Sequence, residues 1–165
     1  LVAAGVPTYG IGKINDIFDG RGIGRSTPTE SNADGCRKTI EHLRQVERGL
    51  VFVNRVDFDM KYGHRNDVDG YARALEEFDA FLGRMLDEAR AGDMLIVTAD
   101  HGCDPTTAST DHSREYVPLL VWNSSARRGA DLGVRSTFAD VAATLADNWG
   151  LAGSAAGTSF LGEIA

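Results

Sequence analysis

Two polar segments, 56–67 and 98–112, carry most of the residues that could bind a metal. They read "VDFDMKYGHRND" and "TADHGCDPTTASTDH". The candidate ligands are two carboxylates and three imidazoles: Asp59, His64, Asp100, His101 and His112. Mixed carboxylate and imidazole ligation suits manganese, zinc or iron better than calcium. Five ligands are too many for one open catalytic ion, so the set favours two ions, which can clamp a transferring phosphoryl group.

Other polar residues near these segments have simpler interpretations. His42 lies midway along a predicted helix, where a hydrogen-bonded structural role is the usual one. Asp57 alternates with Asp59, so on a strand its side chain would point to the opposite face. Cys103 could bind a metal, but a small buried thiol is the commoner role. The glycines of "GIGKIND" (10–16) lack the full spacing of a phosphate-binding P-loop.

Short apolar runs predict the strands that position the ligand segments. The predicted strands are 5–12, 50–56, 94–99 and 117–122. They are apolar on both faces, which is typical of a sheet covered by helices on both sides. Each ligand segment begins where one of these strands ends. Because α/β sheets gather ligands at the carboxyl ends of their strands, the two segments should converge.

Amphipathic patterns predict helices over about 33–47, 67–90 and 137–149. The candidate N-caps are Ser31 or Asn32, Asn66 or Asp67, and Ser136. The inward stripes of the second and third helices are Val68, Tyr71, Leu75, Phe78, Leu82, Met85 and Ala89, and Phe138, Val141, Leu145 and Trp149. Segment 19–32 reads as a long loop. Alternating strands and helices predict an α/β domain.

The strand at 117–122 is predicted to run antiparallel to the strand at 94–99. A parallel connection needs a crossover of about a dozen or more residues, usually helical. The intervening residues show no helical pattern. An antiparallel pair would place His112 near Asp100 and His101 at one edge of the sheet.

Composition restricts the class of protein. The 165 residues carry a net charge of -7 with acidic and basic residues interspersed, so there is no basic stripe for nucleic acid. No apolar stretch reaches the ~18 to 20 residues of a membrane span, and no export signal is visible. Cys36 and Cys103 form no disulfide framework. We therefore expect a cytoplasmic protein with neither nucleic acid nor membrane as a partner.

Several segments together resemble the bacterial phosphopentomutase family of the alkaline phosphatase superfamily. They read "GIGKINDIF", "TESNADG", "VDFDMKYGHRNDVDGYARALEEFD", "TADHG" with the following "DPT", "TDHSREYVPLLVW" and "GTSFLGEI". The resemblance covers essentially the whole chain. It implies a three-layer α/β/α alkaline-phosphatase-like core, with a mostly parallel sheet and one antiparallel strand. It also implies two Mn²⁺ ions and a phosphothreonine intermediate, interconverting (deoxy)ribose 1-phosphate and 5-phosphate in nucleoside salvage.

The resemblance also implies roles for individual residues. One metal would be held by Asp59, His64 and His112, and the other by Asp100 and His101. Substrate contacts would come from Lys13, Arg65 and Arg114. The chain departs from the family at Cys103, where the family usually has Asn, and at Arg55, where it has an apolar residue.

The family's upstream aspartate ligand, nucleophilic threonine and cap domain have no counterpart here. We therefore expect residues 1–165 to be the C-terminal part of the metal-binding core and to be inactive alone. Two further interpretations stay open. One is a cofactor-independent phosphoglycerate mutase or a metal-dependent phosphatase of the same superfamily. The second is a non-catalytic metal-binding module. The sequence leaves open the oligomeric state and the choice between ribose and deoxyribose.

Overall fold

The computed structural model describes residues 1–125, 129–153 and 156–164. They form two compact units. The first contains residues 1–89 and 96–120, and the second contains residues 90–95 and those from 121 onward. Every residue proposed above as a metal ligand or substrate contact belongs to the first unit.

The predicted strands and helices are present, and several short elements join them. The strands are β1 (Thr8–Ile11), β2 (Arg25–Thr27), β3 (Leu50–Val53), β4 (Met94–Thr98) and β5 (Leu119–Asn123). The α-helices are α1 (Ile14–Ile17), α2 (Asn32–Gln45), α3 (Val68–Glu88), α4 (Ala139–Asn148) and α5 (Leu161–Ile164). Single turns of 3₁₀-helix cover Val2–Ala4 and Gly63–Arg65, and a π-helical turn covers Phe58–Tyr62.

The strands form a parallel sheet and an antiparallel pair. The parallel sheet has the order β2-β1-β3, and Tyr9 on β1 pairs with Arg25 on one side and Val51 on the other. Helix α2 lies in the connection to β3, as a parallel crossover requires. Strands β4 and β5 are antiparallel neighbours, and an antiparallel bridge joins Gly102 to Ser113 beyond them. The predicted α/β class and the antiparallel strand are therefore confirmed.

The prediction of an unbroken loop over 19–32 is wrong, because this segment contains the short strand β2. Its residues are polar and mostly exposed, so no hydrophobic pattern marks them. Hydrogen bonds hold the approach to β2 against β1: the Gly24 N–H donates to Thr8 Oγ1 at 2.8 Å, and the Thr8 hydroxyl donates to the Gly22 carbonyl at 2.8 Å. Backbone pairing and one buried threonine thus define this strand.

Two of the three predicted helix caps are present. Ser31 Oγ accepts from the Asp34 N–H at 3.2 Å at the start of α2, and the Asp67 carboxylate accepts from the Gly70 N–H at 2.8 Å at the start of α3. Ser136 does not cap α4, which begins at Ala139 after Phe138.

Asp34 also forms ion pairs within the first turns of α2. Its carboxylate lies 2.6 Å from both Lys38 Nζ and Arg37 Nη2. Hydrogen bonds from Lys38 and then from Arg37 lower the pKa of Asp34 from 3.8 to about 2. The charged form of Asp34 is therefore favoured in the folded chain.

The buried face of α3 differs from the predicted stripe. Its buried residues are Gly70, Ala74 and Phe81, whereas Val68 and Leu75 are 44% and 50% exposed. Small residues let the helix approach its neighbours closely, and a stripe chosen by hydropathy alone overlooks them. On the third helix, Phe138 is likewise 55% exposed.

The "GTSFLGEI" segment is attached to α4 through a buried carboxylate. Asp140 is 5% exposed, accepts from Arg135 Nε at 2.8 Å, and accepts from the Thr158 N–H at 2.9 Å. The hydrogen bond from Thr158 and then that from Arg135 lower the pKa of Asp140. Among the described residues, every helix is too short or too polar to span a lipid bilayer.

Candidate metal centre

Three of the five candidate ligands meet in one cluster in the first unit. One donor atom from each of Asp59, His64 and His112 lies within 4.8 Å of the other two. Asp59 Oδ1 is 3.2 Å from the Nε2 atom of each imidazole. The two imidazole rings are stacked, with centroids 4.9 Å apart. This is the convergence that the positions at strand ends predicted.

Asp59 and His64 belong to consecutive unusual turns. Asp59 lies in the π-helical turn Phe58–Tyr62, and His64 lies in the 3₁₀ turn Gly63–Arg65 that follows directly. Asn66 ends the second turn with a left-handed backbone, φ 50°. Isolated π-helical turns occur frequently at functional sites.

The loop that carries His112 is held against these turns by hydrogen bonds to its backbone. His64 Nδ1 lies 2.5 Å from the Thr110 carbonyl oxygen, and Asn66 Nδ2 donates to the Thr107 carbonyl at 3.0 Å. Since a carbonyl can only accept, His64 Nδ1 carries the proton. This tautomer leaves the Nε2 lone pair directed at the cluster, as a metal ligand requires.

The cluster passes a test of fit for a divalent ion. Asp59 Oδ1 is shielded from solvent and has no hydrogen-bond partner among the described residues. Such an unsatisfied buried oxygen is costly. Ligand atoms about 2.1 Å from one ion stand about 3.0 to 3.5 Å apart at octahedral or tetrahedral angles, which matches the 3.2 Å separations. A cation between the three side chains would satisfy the oxygen.

The remaining two candidate ligands lie next to this cluster. The His101 ring stacks on the His112 ring with centroids 3.7 Å apart. His101 Nε2 lies 3.7 Å from Asp100 Oδ1, and the side chain of Asp100 is 71% exposed. A cavity of about 350 Å³ is lined in part by His101, Cys103 and Tyr71. There is therefore open space for a ligand beside the imidazoles.

Cys103 contacts the two consecutive turns at 58–65 that carry Asp59 and His64, which together we call the ligand turn. A Cβ atom placed on Gly63 would stand only 2.2 Å from Cys103 Sγ, so the thiol occupies the space that the glycine leaves. Burial and then the negative charge of Asp59 raise the pKa of the Cys103 thiol. The thiol is therefore protonated at neutral pH, which agrees with the predicted packing role.

The three predicted substrate contacts are all exposed, and only Lys13 has a described polar contact. Its Nζ lies 3.0 Å from the Met60 sulfur, beside the ligand turn. The preceding Gly12 has φ +84°, and a Cβ there would stand 2.7 Å from the Asn54 carbonyl oxygen. Only glycine allows this approach, which brings Lys13 toward the turn after β3. Arg65 and Arg114 form no ion pair among the described residues.

The residues interpreted as structural from the sequence have definite contacts. His42 Nδ1 lies 2.8 Å from the Lys38 carbonyl oxygen and its Nε2 lies 3.3 Å from Thr27 Oγ1, so its structural role is confirmed. Asp57 does not alternate with Asp59 on a strand, because β3 ends at Val53. It is buried immediately before the π-helical turn. Sequence reasoning considered Asn66 only as a helix cap and missed its hydrogen bond to the loop of His112.

Comparison with known proteins identifies related chains. Over 164 residues the chain is 62% identical to the phosphopentomutase of Anaeromyxobacter sp. (strain K) and 56% identical to that of Kosmotoga olearia. Each match covers 99% of this chain and 42% of the relative, so the chain spans less than half the length of these curated relatives. The resemblance predicted from the sequence is thus confirmed.

A solved structure and a family model extend the comparison. The structure of the PH0037 protein from Pyrococcus horikoshii matches 74% of this chain and 34% of its own, with a TM-score of 0.61 and 22% identity. That likeness concerns the fold alone and supports the predicted alkaline-phosphatase-like core. Residues 2–153 match the model of the metalloenzyme superfamily. The chain belongs to the metalloenzyme superfamily.

Proposed function

We propose that this chain is the metal-binding part of a phosphopentomutase, which interconverts (deoxy)ribose 1-phosphate and (deoxy)ribose 5-phosphate. The observation that carries the proposal is the cluster of Asp59, His64 and His112, in a chain that is 62% identical to a phosphopentomutase over 164 residues. A site for a divalent cation suits a phosphosugar substrate. In a chain with a net charge of -7, local cations are needed to attract an anion.

The proposed metal sites use the two sets of ligands. Asp59, His64 and His112 would hold one ion, and Asp100 and His101 would contribute to a second. We propose Mn²⁺ for both, because the resemblance to phosphopentomutases implies it and mixed oxygen and nitrogen ligation is compatible with it. When bound, a pair of such ions polarises phosphoryl oxygens and offsets the charge of the transferring group.

The chain's own side chains would bind and orient the substrate. Lys13 would contact the phosphate, because its ammonium group lies beside the ligand turn and no carboxylate pairs with it among the described residues. The exposed guanidinium groups of Arg65 and Arg114 would add further anion contacts. Arginine can bind phosphate through two parallel hydrogen bonds, which fixes the orientation of the phosphate.

The phosphate must be held while the sugar turns between its two positions, and this requires a covalent acceptor. The resemblance implies a threonine for this role. No threonine of this sequence lies in a matching motif, and that includes Thr98, Thr106, Thr107 and Thr110. We therefore place the acceptor outside these 165 residues. Separately, we propose a cytoplasmic location for the enzyme.

A coupled assay on the full-length protein tests the proposal. With Mn²⁺ present, ribose 1-phosphate should be converted into ribose 5-phosphate, and Asp59→Ala should abolish the conversion. His42→Ala is the matched control and should retain activity, because the described contacts of its imidazole are with Lys38, Thr27 and Tyr9 and not with the cluster.

Three results would contradict the proposal, and each points to a different function. Inorganic phosphate as the main product would indicate a metal-dependent phosphatase. Activity on phosphoglycerate but not on pentose phosphates would indicate a phosphoglycerate mutase. Metal binding without turnover of any of these substrates would indicate a non-catalytic metal-binding module.

A further inference from the structure

We propose that Asn32 and Asp57 are positioning residues for the metal ligand Asp59. The inference rests on the metal site of the proposed function and adds two residues to its support. It also gives a role in the site to the "TESNADG" segment, which so far has only the helix cap at Ser31 and the ion pairs of Asp34.

Asn32 and Asp57 form a reciprocal pair of hydrogen bonds. The Asn32 N–H donates to Asp57 Oδ2 at 2.8 Å, and the Asp57 N–H donates to Asn32 Oδ1 at 3.1 Å. Asp57 is only 7% exposed. Each residue therefore uses its side chain to satisfy the backbone of its partner, and the two backbone segments are held in one register.

Asp57 contacts the π-helical turn Phe58–Tyr62 at both of its ends. It immediately precedes the π-helical turn Phe58–Tyr62, and its carboxylate lies 3.1 Å from Lys61 Nζ near the far end of that turn. Asp59 lies between these two points. A shift of the Asp57 carboxylate would therefore move the backbone that presents Asp59 to the cluster.

Asn32 belongs to a well-anchored element. It is the first residue of α2, a helix of 14 residues capped by Ser31. Arg55 Nη1 donates to the Asn32 carbonyl at 2.9 Å and also lies 2.8 Å from Cys36 Sγ. The Arg55 guanidinium stacks 4.4 Å above the Phe81 ring. Arg55 thus adds a third hydrogen bond between the segment after β3 and the start of α2.

Asp57 is suited to positioning and not to direct ligation. Its carboxylate is already bonded to a backbone N–H and to an ammonium group. Asp59 Oδ1, two residues later, has no hydrogen-bond partner among the described residues. Residues that orient a ligand in this manner typically change metal affinity by about 10- to 100-fold when they are replaced.

The test is a titration of the full-length protein with Mn²⁺ by calorimetry, together with thermal unfolding in the presence of a chelator. Asp57→Ala should raise the Kd for Mn²⁺ by about 10- to 100-fold and Asn32→Ala by about 10-fold. Asp57→Asn should be milder than Asp57→Ala, because its amide oxygen can still accept from the Asn32 N–H. If Asp57→Ala fails to fold, the two milder variants carry the test.

The matched control is Asp34→Ala. Asp34 lies in the first turn of the same helix and pairs with Arg37 and Lys38, and none of its described bonds reaches the ligand turn. This variant should lower the thermal midpoint and leave the Kd for Mn²⁺ within about twofold of the unaltered protein, since it does not orient a ligand.

The outcomes separate the two proposals. If the unaltered protein binds Mn²⁺ and the Asn32 and Asp57 variants bind it equally well, the positioning role is refuted while the metal site stands. The same holds if the affinity of Asp34→Ala falls as far as that of the Asn32 and Asp57 variants at the same loss of thermal stability. If the unaltered protein does not bind Mn²⁺, the metal site is refuted and the positioning role with it.

Discussion

Gly63→Ala should destabilise the protein by forcing a collision inside the ligand turn. The new Cβ would stand 2.2 Å from Cys103 Sγ and 3.1 Å from the Phe58 carbonyl oxygen. Carbon atoms in favourable contact lie about 3.5 to 4.0 Å apart, so the sulfur or the turn must move by more than about 1 Å. Overpacking of this kind costs about 1 to 3 kcal/mol. For a protein of this size, that corresponds to a fall in Tm of about 2 to 12 °C.

Removing the sulfur should relieve the collision. In Gly63→Ala combined with Cys103→Ala, the nearest atom on residue 103 would be its Cβ, 3.4 Å away. A double-mutant cycle from urea unfolding should therefore give a favourable coupling of about 1 kcal/mol or more. Gly83→Ala is the control: a Cβ there meets no atom within 4 Å, and in a helix interior the change should stabilise by about 0.5 to 1 kcal/mol. Additive penalties at Gly63 and Cys103 would refute the reasoning.

The remaining predictions concern the ligands and two carboxylates. His64→Ala and His112→Ala should each raise the Kd for Mn²⁺ by more than the about 10- to 100-fold typical of residues that only support a ligand. His42→Ala should leave that Kd unchanged within about twofold. Calorimetric titration measures all three variants, and equal losses of affinity would show that the site is elsewhere. The pKa of Asp34 is lowered from 3.8 to about 2, so its stabilising effect should be present above pH 3.8 and lost as the pH falls through about 2. Urea unfolding of Asp34→Asn should lack this part of the acid dependence, and an unchanged profile would contradict it. Asp140→Ala should lower the thermal midpoint, because the Arg135 Nε–H and the Thr158 N–H lose the buried carboxylate that accepts from them; an unchanged midpoint would show that they find new partners.

The strands could be predicted wherever burial requires a run of apolar residues in the sequence. Strands β1, β3, β4 and β5 follow apolar runs, and the antiparallel direction of β5 followed from the missing crossover. Strand β2 was not predictable from hydropathy, because its side chains are polar and exposed and it is defined by backbone pairing. The prediction that Val68 and Leu75 lie on the buried face of α3 was wrong for a related reason. Small residues such as Gly70 and Ala74 decide which face of the helix packs closest against its neighbours.

The candidate site was predictable at the level of residue type. The convergence of Asp59, His64 and His112 follows from polar residues placed where strands end. The contacts that hold them in place could not be predicted, because they involve backbone groups. The carbonyl of Thr110, which fixes the His64 tautomer, has no residue-type signature. The bond between Asn32 and Asp57 joins positions 25 residues apart along the chain, and neither residue type indicates that pairing.

The turns that carry Asp59 and His64 limit how far the length of the segment between these two ligands can change. Asp59 and His64 are five residues apart, a spacing that in an α-helix of about 3.6 residues per turn would point their side chains about 140° apart. In the folded chain, the π-helical turn and the 3₁₀ turn that follows it instead bring Asp59 Oδ1 and His64 Nε2 to 3.2 Å from each other. Because each helical residue adds about 100°, insertion of one residue between them would rotate His64 away from Asp59 by about that angle. An insertion in "MKYG" would therefore turn the two ligands away from each other.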